Sequence, residues 1–432
     1  MTPRLRTICL ACFSAIPLAW SASPPATPPT GTPPGVAPVP PGHIYTDFSA
    51  VTIEGEPIER RAPEKTDDKP GFPGQTRAPY HASVPFNVTQ LTDKLRSPWS
   101  LAFLPDGTLL ITEKPGTMRL MGADGALSAP LTGVPAVFYF GQVGLLDVAL
   151  DPHFGANYRI FFTFSEPVGD SDSRIAIARA RLDEAAGGLT DVRVIFRAVP
   201  ALPAETLNGN SGGRIAIGRD GNLFVSIGDR SLSPPWDVAQ RLDTDLGKII
   251  HITPDGAPAP GNPFIGKPDA LPEIYTYGNR NPEGLAFDAK HRLWETEHGP
   301  RGGDKLNTPE AGKNYGWPVI VHGIDYPGMP IGAGITQEAG MEQPRYYWDP
   351  VIAPSGLAFY TGNLFPQWKN SVFVGALRGM MLDRLTLSGT KVIAEEPLLL
   401  DMHNRVRDVR VGPDGAVFVL TDNGKLLKLT PK

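Results

Sequence analysis

The chain has 432 residues, a formal net charge of −5, and 47 glycines beside 47 prolines. That length can bury one large all-β core or two smaller ones, and the Gly and Pro excess predicts many tight turns between short strands. The negative balance carries no electrostatic footprint for nucleic acid.

In chain order the first feature is an address. Arg4 and Arg6 precede a mostly apolar run over 7–20, and Ser21, Ala22 and Ser23 follow. Residues 1–23 read as a secretory signal peptide whose apolar run is too short to span a membrane. The expectation is an exported protein, periplasmic or secreted, with no membrane insertion once the signal is removed. Both cysteines, Cys9 and Cys12, lie inside this segment. The mature chain therefore has no thiol, disulfide or thiolate metal site. Residues 24–80 read as a Pro-rich linker, to about His43, followed by a loosely ordered polar segment.

From residue 81 to 432 one plan recurs. An apolar strand, a turn and a second strand appear in Ser-Leu-Ala-Phe-Leu-Pro-Asp-Gly-Thr-Leu-Leu-Ile-Thr at 100–112. The same plan follows at 147–164, 214–227, 284–296, 356–375 and 408–421. The anchors Leu101, Val148, Ile215, Leu285, Leu357 and Val409 are 47, 67, 70, 72 and 52 residues apart. Hairpins repeated at this spacing, with insertions between them, predict an all-β, six-bladed β-propeller. Two β-sandwiches in tandem are the alternative. The segment at 85–91 is placed to close the ring by adding a strand to the last blade.

Five segments carry a resemblance. They are Phe-Gly-Gln-Val-Gly-Leu-Leu-Asp at 140–147, Tyr-Gly-Asn-Arg-Asn-Pro-Glu-Gly at 277–284, Glu-His-Gly-Pro-Arg-Gly-Gly-Asp at 297–304, Gly-Lys-Asn-Tyr-Gly-Trp-Pro at 312–318 and Asn-Arg-Val-Arg-Asp-Val at 404–409. In this order, on six repeats, they resemble the glucose/sorbosone dehydrogenase family, which contains the soluble PQQ-dependent aldose sugar dehydrogenases. The resemblance runs from about 85 to 431. It implies oxidation of an aldose at C1 to the lactone, hydride transfer to the quinone, and electrons passed to an external acceptor. PQQ and calcium are the implied cofactors. The quinone is a planar tricarboxylate, so its pocket needs cations and hydrogen-bond donors. Calcium needs oxygen ligands.

By the resemblance, Gln142, Arg280 and Asn281 contact the cofactor, with Arg280 able to stabilise the reduced quinone oxyanion. Arg378, Arg405 and Arg407 stand where its carboxylates would be gripped. The carbonyls of Gly299 and Pro300 would face calcium, and Tyr315 matches a ligand of a second calcium. Two positions depart from the pattern. Asn210 stands four residues before Arg214, where a base histidine is expected, and asparagine cannot take up a proton near neutral pH. His298 and Asp229 are candidates for a substitute base. Lys305 stands where a glutamate ligand of the second calcium is expected, and an ammonium opposes a divalent cation. These departures support an alternative, a degenerate propeller that binds cofactor or sugar with little turnover. A metal-dependent lactonase on the same architecture would need a carboxylate and histidine cluster that the motifs do not supply. Trp317, Trp348 and Trp368 are expected mainly as plugs between blades.

Overall fold

The computed structural model describes residues 52–122, 124–203, 209–232 and 237–432. The signal peptide read at 1–23 and the Pro-rich run after it lie outside them. The described chain is almost all β, and its one α-helix, Phe154–Asn157, is a single turn. Strands fall into six small antiparallel sheets. Their innermost members are Pro98–Phe103, Leu145–Leu150, Gly212–Ile217, Pro282–Phe287, Pro354–Phe359 and Val406–Val411. Each packs against the next and the last against the first, which closes a six-bladed ring. The second strand of a blade is enclosed by neighbouring blades. Leu109–Glu113, Leu223–Ile227, Leu293–Glu297, Ser371–Ala376 and Val417–Thr421 are accordingly buried at every residue. Burial on both faces is why these strands lack an apolar/polar alternation, and the polar residues among them, such as Thr112, Glu295 and Glu297, are hydrogen-bonded.

The ring is sealed where the sequence predicts. Phe86–Thr92 pairs antiparallel with Leu426–Pro431 and becomes the outer strand of the last blade. Between blades, hydroxyls act as clasps. Thr112, Thr163, Ser226 and Thr296 each donate to a carbonyl of the next blade's inner strand or its lead-in: Leu146, Gly213, Pro282 and Ser355. In the fifth blade the hydroxyl moves to the inner strand, where Ser355 donates to Val406. Gly375 fills the vacated place on the second strand, and a Cβ there would meet Ser355 Oγ at 2.4 Å.

In four repeats the residue before the anchor, Ser100, Asp147, Arg214 or Asp408, joins one polar network. Arg214 donates to Asp408 at 2.9 Å and Asp147 at 3.4 Å, with its guanidinium 4.1 Å over the Trp99 ring. Arg410 binds the same two carboxylates, and Ser100 donates to Asp147. Four inner strands thus meet in one buried ion cluster. All six pairs of inner and second strand carry a register shift beside this position. Bulges of this kind bend a strand and re-aim its side chains. Here they separate two faces. One carries tight Asp-Gly turns at Gly107, Gly221 and Gly415. The other carries the long loops that lead into the inner strands.

Residues 52–83 hold little regular structure, as their prolines dictate, yet run tightly along the fourth and fifth blades. Ile58 and Ala78 join the core cluster of Trp294, Tyr346 and Trp348. Ala78 N–H donates to the Tyr346 hydroxyl, and Asp349 accepts from the N–H groups of Glu64 and Lys65.

Candidate functional site

The loop face collects most of the residues named from sequence. Gln142, ahead of strand Leu145–Leu150, accepts from the Asn210 N–H at 2.9 Å. Asn210 sits at φ 43, in the left-handed region that asparagine tolerates better than most residues. Its Nδ2 donates to Asp229 at 2.8 Å. A carboxylate only accepts, so this bond fixes the amide orientation and leaves Oδ1 free to accept. Asp229 also accepts from Ser231 N–H and from the Trp317 indole N–H, both within 2.9 Å. Burial pushes its carboxyl up, against the pull of Arg280 and these donors.

Arg280 enters from the lead-in to strand Pro282–Phe287. Its N–H donates to Glu297 at 2.7 Å, which pins the backbone. Its guanidinium lies 5.2 Å over the Trp317 ring and donates to the Gly299 carbonyl at 2.9 Å. The Tyr326 hydroxyl is 3.5 Å away. Arg280 Nε is buried with no hydrogen-bond partner. Asn281 accepts from Gly212 N–H, which ties this lead-in to the Asn210 loop, and donates to Glu283.

His298 is engaged at both ring nitrogens. Nε2 faces the Pro354 carbonyl at 2.8 Å, and Nδ1 faces the Asn281 amide at 3.3 Å. A carbonyl only accepts and Nδ2 only donates, so the ring is neutral with its proton on Nε2. Burial is the main reason its pKa is pushed down to about 4. No lone pair is left to accept a substrate proton.

The arginines divide. Arg407 is buried and spends its donors on Glu283 at 2.6 Å and Asp422 at 2.8 Å. Arg405 is half exposed, shares Asp422, and donates to the Leu377 carbonyl. Arg378, next in the chain, is exposed. Hydrogen bonds therefore connect Glu283, Arg407, Asp422 and Arg405 in one line leading to Arg378. Lys114, at the end of strand Leu109–Glu113, was not singled out by sequence because a lone lysine after a strand matches no motif. It lies within the field of Arg407, Asp422 and Glu283, and burial lowers its ammonium to about 8. Trp317, expected as a core plug, is buried in a cluster with Ala239, Val321 and Ile331, and its indole N–H and ring also serve Asp229 and Arg280. Trp348 and Trp368 do plug cores.

An ammonium stands at the position where the resemblance expects a second metal. Lys305 Nζ donates to the Tyr315 carbonyl at 3.1 Å and lies 3.4 Å from Glu297. The Tyr315 hydroxyl is spent on Thr308 and Glu310. Among the described residues no group of three or more His, Cys, Asp or Glu is placed to hold a metal. At Gly299, buried beside Pro300, the carbonyl already faces a cationic group, Arg280. Among the described residues no helix is long and apolar enough to cross a membrane.

Comparison with known proteins shows the family. The family described as Glucose / Sorbosone dehydrogenase matches residues 95–428. The aldose sugar dehydrogenase YliI of Escherichia coli (strain K12) is 43% identical over 356 residues, covering 81% of this chain and 94% of that protein. Quinoprotein glucose dehydrogenase B of Acinetobacter calcoaceticus is 24% identical over 415 residues, covering 78% and 85%. The PQQ-bound form of aldose sugar dehydrogenase from Streptomyces coelicolor superposes with a TM-score of 0.65 at 31% identity, covering 81% of this chain and 99% of that one. With the propeller, the ordered motifs and this match in hand, the chain belongs to the glucose/sorbosone dehydrogenase family.

Proposed function

We propose that the chain is a PQQ-dependent oxidoreductase that oxidises aldose sugars at C1 to lactones and passes the electrons to an external acceptor. One observation carries the reading: three cationic side chains on the loop face have no carboxylate bonded to them among the described residues. Arg280 Nε is buried without a partner, Arg378 is exposed, and Lys114 is an ammonium with no anion bonded to it among the described residues. Such a surplus fits a planar tricarboxylate. Relatives named as a quinoprotein and as a PQQ-bound dehydrogenase support the same class.

Bound PQQ would supply the hydride acceptor for the C1–H bond. The protein's part is placement and charge. Arg280, fixed by Glu297, Trp317 and Gly299, would hold positive charge where negative charge develops. Gln142 and Asn281 would orient the ring system. Arg405, Arg378 and Lys114 would meet carboxylates, while Arg407 holds Asp422 and Glu283 in place. By the resemblance the Gly299 and Pro300 carbonyls would face calcium, and for Gly299 this requires the carbonyl to be shared with or released by Arg280, from which it accepts. The Lys305 position does not suit a hard cation.

The hydroxyl proton at O1 sets the rate. Asn210 Oδ1 can accept the hydrogen bond but not the proton, and Asp229 is shielded behind the amide. Loss of a general base costs about 10²–10⁴ in rate. A second reading rests on this pair: a binding propeller with little turnover. Reconstitution with PQQ and calcium, followed by an aldose panel and an artificial acceptor, separates the two. Bleaching of bound cofactor on sugar addition supports the enzyme. Binding without bleaching supports the second reading, and no binding at micromolar PQQ overturns both.

A further inference from the structure

The matched family region begins at residue 95, so the strap over 52–83 lies ahead of it. Two strap residues reach inward to the loops of the site. Glu64 binds Arg301 with Nε and Nη2 both at 2.7 Å from Oε2. Asp68 binds His322 Nδ1 at 3.1 Å, and both side chains are essentially fully buried. His322 stacks on Tyr347 with ring centroids 4.2 Å apart, and Tyr347 N–H donates to Gln75 of the strap.

Arg301 and His322 belong to two different loops that are themselves paired. Arg301 and Ile324 exchange both backbone hydrogen bonds, at 3.1 and 2.8 Å. The loops touch at glycines: a Cβ on Gly323 would meet the Gly302 carbonyl at 2.2 Å, and one on Gly303 would meet His322 backbone at 2.6 Å. The first loop presents Gly299 and Pro300. The second presents Tyr326, whose hydroxyl is 3.5 Å from Arg280. Asp349 completes the frame. It takes two strap N–H groups, and its carboxylate lies 2.6 Å from where a Gly302 Cβ would be.

We infer that the 52–83 strap is a positioning element of the site, in which Glu64 and Asp68 hold the two loops that place Gly299, Pro300 and Tyr326 around Arg280. Resting on the proposed cofactor reading, it assigns Glu64 and Asp68 a role in binding that cofactor and the sugar, although neither touches them. The ion pairs are long-range in sequence and join an extension to the catalytic face, not to a blade edge alone. Supporting partners of this kind typically change affinity or activity about 10–100-fold when removed.

The test uses the full chain with Glu64→Gln, Asp68→Asn and the double variant, and Arg61→Ala as a strap control whose guanidinium is bonded to Glu59, and to neither Glu64 nor Asp68, among the described residues. Amide hydrogen exchange is read at 299–303 and 322–326, with 406–411 of the last blade as the reference for global folding. Exchange in both loops should rise about 10-fold in the double variant while the reference stays fixed. PQQ dissociation constants and aldose KM should rise by about 10-fold or more, and Arg61→Ala should match wild type. Glu64→Arg combined with Arg301→Glu should slow exchange again. Unchanged loop exchange overturns the inference, and so does equal acceleration in all blades, which would mark a purely structural contact. If wild type binds no PQQ, the functional reading fails while the exchange measurement still decides the role of the strap.

Discussion

Lys305 Nζ lies 3.1 Å from the Tyr315 carbonyl and 3.4 Å from Glu297, so a tethered ammonium sits between a carbonyl and a carboxylate. Glu295, two residues away on the same strand, is pushed well up by burial and by the neighbouring Glu297 charge. One ammonium therefore balances one carboxylate beneath the Arg280 backbone.

Lys305→Met should destabilise the protein by about 3–5 kcal/mol, the cost of leaving a buried carboxylate unpaired. Lys305→Glu should be at least as unstable in EDTA and recover with millimolar calcium, whereas Lys305→Met should show no recovery. Denaturation midpoints with and without calcium check this. Equal calcium responses in the two variants would show that a carboxylate at this position does not create a metal site.

Asn210→His should raise turnover by about 10²–10⁴ if the pocket is otherwise competent. Histidine tolerates the same left-handed backbone, and Asp229 is in place to accept from its ring. The gain should vanish in the double variant with Asp229→Asn, because the ring would lose the partner that fixes its tautomer. Steady-state kcat in the four proteins forms the cycle.

His298 gives a pH dependence with a defined sign. An unfolded histidine protonates near pH ~6.5, whereas the folded ring resists until about 4. The folded pKa is depressed, so the unfolded chain binds more protons between these values. This contribution is fully present above pH ~6.5 and is lost as pH falls toward 4. His298→Gln, which does not titrate, should lose about 3 kcal/mol less than wild type between pH 7 and 4. Urea unfolding at several pH values measures the difference, and parallel curves would remove His298 from the account.

How much of this the sequence carried depends on range. The blades were legible because each is a local hairpin whose anchor recurs, from Leu101 to Val409. Closure by Phe86–Thr92 followed from ring geometry. The site loops were legible because Gln142, Arg280, Gly299 and Arg405 sit in motifs of several residues. Lys114 was not placed, nor were the contacts of Trp317 with Asp229 and Arg280, since both come from loops that meet only in the folded ring. The strap was read as loose because its prolines preclude regular strands. Its order is imposed by side chains some 270 residues away, Tyr346 and Asp349. The division of Arg405 from Arg407 was also invisible, because it is set by Glu283, 124 residues from Arg407.

Gly375 offers a test of the blade clasp. In four blades the clasping hydroxyl lies on the second strand, but in the fifth Ser355 supplies it and Gly375 makes room. Gly375 has no positive φ, so a side chain there is excluded by contact and not by backbone strain. Gly375→Ser alone should cost about 1–3 kcal/mol, since a Cβ would meet Ser355 Oγ at 2.4 Å and Val406 Cγ1 at 3.0 Å. Ser355→Gly alone should cost about 1 kcal/mol through the lost bond to Val406. Joined, the two changes relocate the hydroxyl to the place it holds in the other blades. The double variant should therefore be more stable than the sum of the single losses predicts, with a coupling of about 0.5–3 kcal/mol. Strict additivity in denaturant unfolding would show that the clasp does not depend on which strand supplies it.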